Sequence, residues 1–208
     1  MNNTSFNSLS LARPLLDNLD SLGYQQMTEI QAETLPLTLQ GKDVLAQAKT
    51  GSGKTAAFGL ALLHQLQDIN NQTQGLVLCP TRELAEQVAN ELRHLARPLA
   101  NTKIITLCGG KPIGAQYASL EHQPHIVVGT PGRILKHLQK GTLKLDQLNT
   151  LVLDEADRML DMGFQDDMMR IIKLLPAQRQ TLLFSATYPD EIRHISQQIQ
   201  RDPLIIQV

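Results

Sequence analysis

The chain has 208 residues, 42% hydrophobic and 19% charged, with a formal net charge of −1. That is an ordinary globular composition, long enough to bury a sheet on both faces. It excludes attraction of a polyanion by bulk charge. No apolar run approaches the ~20 residues of a membrane helix, so no membrane association is expected.

The chain opens with "MNNTSFNSLSLARPLLDN". No basic start leads into an apolar core, so a secretory signal is not expected and the reading is cytoplasmic. Residues 1–42 carry helical patterning with a break around "SLGYQQMT". Apolar runs then follow at 43–48, 75–80, 103–108, 125–130, 150–155, 181–186 and 204–208. Amphipathic stretches such as "TRELAEQVANELRHLARPL" separate them, with apolar residues at i, i+3, i+4 and i+7. The runs are nearly continuous in apolar residues rather than alternating. That pattern predicts strands covered on both faces, hence an α/β fold with a doubly wound, mostly parallel sheet. The methionines of "RMLDMGFQDDMMRII" suit helix packing. Cys79 and Cys108 each end an apolar run and read as buried, reduced thiols. His122 and His125 flank Pro124 without a cysteine partner, which argues against zinc.

In such a sheet ligands sit at the carboxyl ends of the strands, and the distinctive short sequences fall there. After the first run comes "AKTGSGKT" (48–55), followed by a helical pattern. Gly51 and Gly53 let the backbone turn its N–H groups inward around an anion. Lys54 can reach β- and γ-phosphates, and Thr55 can offer its hydroxyl to Mg²⁺. Ala48 stands where the usual pattern has glycine, a position that needs only a small residue. Lys49, Thr50 and Ser52 complete the loop.

The run at 150–155 ends abruptly in Asp154 and Glu155, with Asp157 beyond. Acids suit the start of a helix by themselves. Beside a phosphate loop they suit chemistry, with Asp154 holding Mg²⁺ and Glu155 activating a water.

With "DEAD" at 154–157 after such a loop, the chain resembles the DEAD-box ATP-dependent RNA helicases. The resemblance covers essentially the whole chain and implies a RecA-like ATP-binding domain at 43–208, with 1–42 as its helical adenine-reading segment. "GYQQMTEIQ" (23–31) matches that segment. Phe6 stands in the stacking position, Tyr24 lies within the motif, and Gln31 has an amide suited to an adenine edge. "PTREL", "GG" and "TPGR" match the family's RNA-backbone segments and supply Pro80, Thr81, Arg82, Gly109, Gly110, Thr130, Pro131, Gly132 and Arg133. Thr81 and Thr130 can also cap helices. "SAT" supplies Ser185 and Thr187, expected to hydrogen-bond Asp157 and couple the ATP and RNA sides.

The resemblance implies ATP and Mg²⁺ as cofactors and structured RNA as partner. The finer likeness, to the bacterial DbpA branch, implies ribosomal RNA and large-subunit assembly. It also implies a second RecA-like domain and a C-terminal RNA-recognition domain, both missing from this chain, which is therefore expected to be part of a longer protein and nearly inactive alone. Two other readings stay open: another phosphate-loop NTPase, and an ATP-gated RNA clamp that does not unwind productively.

Overall fold

The computed structural model describes residues 3–67 and 72–208. The first two residues of the expected helical segment lie outside the described residues. Seven strands among the described residues form one sheet. They are β1 (Val44–Gln47), β2 (Gly75–Leu78), β3 (Ile104–Leu107), β4 (Ile126–Gly129), β5 (Thr150–Leu153), β6 (Gln180–Ser185) and β7 (Leu204–Gln207). Their order is β3-β4-β2-β5-β6-β1-β7, and every neighbouring pair is parallel. Each expected apolar run holds one strand. Most strands stop one or two residues before the run does. At Pro80 the backbone has no N–H to give a ladder, and at Glu155 it turns left-handed (φ 54°).

The connecting helices are α1 (Arg13–Ser21), α2 (Glu29–Thr38), α3 (Lys54–His64), α4 (Arg82–Leu95), α5 (Ile113–Leu120), α6 (Pro131–Lys140), α7 (Ala156–Asp161), α8 (Gln165–Lys173) and α9 (Asp190–Ile199). The break expected near "SLGYQQMT" separates α1 from α2. There Gly23 takes φ 87°, and Thr28 opens α2 with a capping box shared with Gln31. That box satisfies two helix-end donors at once.

Strand alternation divides the core. Val44, Ala46, Val77, Val128, Val152 and Phe184 face a cluster built with α1 to α4. Leu45, Leu76, Leu78, Val127, Leu151 and Leu183 face the other, with α6, α8 and α9. Fully burying one such side chain contributes about 1.5–3 kcal/mol. Met159 and Met168 are buried, as helix packing requires, while Met162 is 45% exposed. Cys79 and Cys108 are buried free thiols. One expectation is corrected: β7 is not covered on both faces. Leu204 and Ile205 are 38% and 51% exposed; β7 is an edge strand with only β1 beside it, whereas β3, at the other edge, keeps Ile104 and Leu107 buried. No helix of the described residues is long and apolar enough to cross a membrane.

Parallel strands bring all their carboxyl ends to one edge. The strand order then sorts the loops leaving that edge into two groups: β5, β6 and β1 lie together, and so do β3, β4 and β2.

Candidate functional site

The loop after β1 turns through Gly51 (φ 81°) and Gly53 (φ 87°) into α3. Lys54, first residue of α3, is 7% exposed. Its ammonium lies 3.0 Å from Asp154 Oδ1 and 3.4 Å from Glu155 Oε1. The glycine turn and the acids after β5 therefore face each other. Thr50 Oγ1 also donates to Glu155 Oε1 (3.3 Å). Asp154 is 2% exposed. Burial pushes its carboxyl above the usual range, and the Lys54 ammonium opposes that rise. Glu155 holds its side chain from a left-handed backbone (φ 54°, ψ 51°), a conformation that costs a non-glycine residue about 1–3 kcal/mol.

A cavity of about 380 Å³ opens between these groups and α4. Thr50, Gly51, Gly53, Lys54, Thr55, Asp154 and Glu155 line one side, and Leu84, Gln87, Val88 and Glu91 the other. Ser52 Oγ and Glu155 Oε2 are buried with no hydrogen-bond partner among the described residues, although Arg158 Nη1 lies 3.6 Å from Glu155 Oε2 as an ion pair. Buried polar atoms without partners are costly: the Ser52 hydroxyl, as a donor, fits a phosphate oxygen, and the Glu155 carboxylate oxygen, as an acceptor, fits a water rather than an anion. A cation bound largely by phosphate oxygens needs only one or two protein oxygens, and Asp154 and Thr55, both lining the cavity, are the residues that could hold it. Ala48 is buried, and Lys49 and Thr50 are exposed.

The four α4 residues were not singled out in the sequence. Their spacing (84, 87, 88, 91) is one helical face, and that face would have marked them once "PTREL" was placed opposite the loop. Glu91 accepts a hydrogen bond from Tyr24 Oη (3.0 Å). Burial first, then the Glu91 charge, pushes the Tyr24 phenol up to about 12.

The segment expected to read adenine is packed inward in this structure. Phe6 is 3% exposed, its ring packed edge-on against Tyr24 at 6.0 Å. Gln31 is 2% exposed. Its Oε1 accepts from Thr28 N (2.9 Å) and its Nε2 donates to Gly53 O (3.0 Å). The same amide that caps α2 thus ties it to the phosphate loop. Its Nε2 keeps one further hydrogen to donate, and its Oε1 one further lone pair with which to accept.

On the β3–β4–β2 side, Thr81 caps α4 by accepting from Leu84 N (3.3 Å). Thr130 does not cap α6. Its hydroxyl accepts from Gly109 N instead (3.1 Å), because Gly109 leaves β3 beside it. Arg82, Gly109, Gly110 and Gly132 are exposed, whereas Pro80 and Pro131 are buried and shape their turns from below. Arg133 Nη1 donates to Lys111 O (2.8 Å) and Gln116 Oε1 (3.1 Å). After β6, Thr187 donates to Asp157 Oδ2 through N (3.2 Å) and Oγ1 (2.9 Å). Ser185 does not join them. It is still in the strand, beside Gln47, and its hydroxyl is buried with no hydrogen-bond partner among the described residues.

The DEAD/DEAH box helicase family model matches residues 28–195. Over 206 residues the chain is 64% identical to the ATP-dependent RNA helicase DbpA of Escherichia coli K12, covering 99% of this chain and 45% of that protein. It is 48% identical over 205 residues to the ATP-dependent RNA helicase CshA of Listeria monocytogenes, covering 99% of this chain and 39% of that one. The crystal structure of a DEAD box protein from the hyperthermophile Methanococcus jannaschii superposes with a TM-score of 0.93 at 41% identity, over 98% of this chain and 56% of that chain. The chain thus spans about half the length, or less, of these curated relatives.

Proposed function

The chain belongs to the DEAD/DEAH box helicase family, and on that premise we propose that it is the ATP-binding domain of an ATP-dependent RNA helicase. The observation that carries the reading is the approach of Lys54 to Asp154 and Glu155, at 3.0 and 3.4 Å, across a cavity lined by the glycine turn.

The β- and γ-phosphates of ATP would lie in the turn of Gly51 and Gly53, against the inward N–H groups and Lys54. Thr55 and Asp154 would hold magnesium, which neutralises phosphate charge when bound. Glu155 has one oxygen fixed by Thr50 and Lys54. Its other oxygen, Oε2, would orient the attacking water and take its proton. The adenine end would reach the segment of Phe6, Tyr24 and Gln31, which touches the cavity through Glu91 and Gly53. At 2% exposure, Gln31 meets a base only after this segment shifts.

RNA would cross the β3–β4–β2 side. There exposed backbone N–H groups and guanidinium donors suit sugar and phosphate rather than base edges. Asp157 and Thr187 would link the two sides. A second RecA-like domain, in the part of the relatives that this chain does not span, would supply the arginine that stabilises transition-state charge. Such a group is worth ~10³–10⁵ in rate in related NTPases. Closure of both domains over ATP and RNA would then open a short duplex. Structured ribosomal RNA, met in the cytoplasm during large-subunit assembly, completes the proposal.

Glu155→Gln in the full-length protein tests it. ATP affinity should stay near wild type while RNA-stimulated hydrolysis falls by ~10²–10⁴, the contribution of a positioned general base. A variant that hydrolyses at the normal rate but binds ATP poorly would overturn the assignment of Glu155 as base.

A further inference from the structure

The Gly109–Gly110 turn and Arg133 come from different strand ends, yet one buried amide joins them. Gln116, on α5, is 7% exposed. Its Nε2 donates to Cys108 O (3.1 Å), at the entrance of the glycine turn. Its Oε1 accepts from Arg133 Nη1 (3.1 Å) and lies 2.7 Å from His137 Nε2. With the amide nitrogen committed to a carbonyl, the oxygen must face both donors. That fixes the hydrogen of His137 on Nε2. Its Nδ1 then faces Thr142 Oγ1 at 2.8 Å. His137 is fully buried, with its ring edge-on to Tyr117 at 5.6 Å.

The consequence falls on Arg133. Both hydrogens of Nη1 are used, one on Lys111 O and one on Gln116. A guanidinium carries five donors in a rigid plane, so fixing Nη1 orients Nη2 and Nε. Lys111 itself comes directly after the glycine turn and pairs with Glu86 of α4. The turn after β3, the arginine after β4 and the helix after β2 are thereby held in one arrangement.

We propose that Gln116 is a positioning residue for RNA binding: it sets the Gly109–Gly110 turn and the Arg133 guanidinium in register with each other, with His137 supporting it from below. This inference rests on the proposed RNA-facing role of those two segments. A group held in place before contact loses less freedom on binding than one that must be ordered by it. Gln116 touches no phosphate; its effect passes through Arg133 and Cys108.

The test is RNA affinity of the full-length protein across a salt series for wild type, Gln116→Met, Arg133→Ala and the double variant, with ATP affinity measured alongside. Gln116→Met should weaken RNA binding about tenfold, the scale of one charge-assisted hydrogen bond. It should also reduce the salt slope toward that of Arg133→Ala, by up to ~0.7, the value of one single-strand phosphate contact. The double variant should bind no worse than Arg133→Ala, and ATP affinity should not move in any of them. Wild-type RNA affinity in Gln116→Met, or losses that simply add, would overturn the positioning role alone. Wild-type RNA affinity in Arg133→Ala would overturn the RNA-facing reading beneath it. Should Gln116→Met fail to fold, His137→Phe removes one donor and keeps the ring packing. It should lose RNA affinity in the same direction by less, and unchanged affinity there overturns the inference.

Discussion

The two halves of the sheet's carboxyl edge, both proposed to meet phosphate, place their charged groups in opposite ways. After β5 and β1 the charges are inside: Lys54, Asp154 and Glu155 are 7%, 2% and 9% exposed. After β3, β4 and β2 the groups proposed to meet RNA are outside: Arg82 and three glycines are exposed and Arg133 is half-buried. Buried charges interact strongly and are poorly screened. They suit a single ligand whose charge shifts during reaction. Exposed donors are screened by salt and suit a repeating backbone that must be bound and released. Net charge of −1 is compatible with both, because neither half depends on the field of the whole protein.

The comparison breaks hardest at Lys54. Replacing it with alanine removes the cation between two buried carboxylates and the group proposed to reach the phosphates. ATP hydrolysis by the full-length Lys54→Ala protein should fall to background, while RNA affinity measured without nucleotide keeps its wild-type value. Colorimetric phosphate release and RNA titration check the two halves separately. Retained turnover would dissolve the distinction, and so would a parallel loss of RNA binding in a folded variant.

Two glycines sharpen it at smaller scale. At Gly53 a Cβ would stand 2.6 Å from Gln31 Nε2 and 2.9 Å from Thr28 Oγ1, on a backbone with φ 87°. Left-handed backbone alone costs an L-residue roughly 1–2 kcal/mol, and the clash also breaks the tie between α2 and the loop. At Gly132, inside α6, the nearest atom to a Cβ is Asp167 Oδ2 at 3.7 Å, an ordinary contact. Gly53→Ala should therefore lower the melting temperature and weaken ATP binding. Gly132→Ala should keep ATP affinity and raise stability by up to ~1 kcal/mol through helix propensity. Calorimetry of the two variants decides it, and equal responses would mean that the loop is not held as tightly as the geometry requires.

The same contrast explains how much of the molecule was legible in the sequence. The strands and their parallel direction were readable because continuous apolar runs need two covered faces, and β7 escapes that logic. The convergence of the glycine turn with the acids was readable because glycine, lysine and carboxylates at strand ends have few other uses in that combination. Three things lay beyond a linear reading. Gln31 carries an amide that fits a base, and folding also uses it to join Thr28 to Gly53, a tie that the motif does not show. Ser185 and Thr187 are two residues apart, but only Thr187 has left the strand and reaches Asp157. Gln116 and His137 look like ordinary helix residues, 21 positions apart, until α5 and α6 bring them to 2.7 Å. Side chains acting through a partner leave no motif of their own.

The smallest expected effect separates the halves by acid. Burial pushes the Asp154 carboxyl up, so above its ordinary value of 3.8 the folded chain holds that proton more readily than the unfolded chain. Its contribution to stability therefore rises as pH falls through its folded pKa toward 3.8. His137 runs the other way. Burial, with Arg133, Lys140 and Lys136 nearby, pulls its pKa below 6.5, so on acidification the unfolded chain takes up that proton first. Its contribution is complete above 6.5 and is lost as pH falls through its folded pKa. Melting temperatures tracked downward from neutral pH should thus fall less steeply for His137→Phe than for wild type. Asp154→Asn, which leaves the Lys54 ammonium beside Glu155, should fall more steeply. If both variants deviate from wild type in the same direction, acid acts on the fold as a whole, and the buried-charge half and the exposed-donor half lose the electrostatic distinction drawn between them.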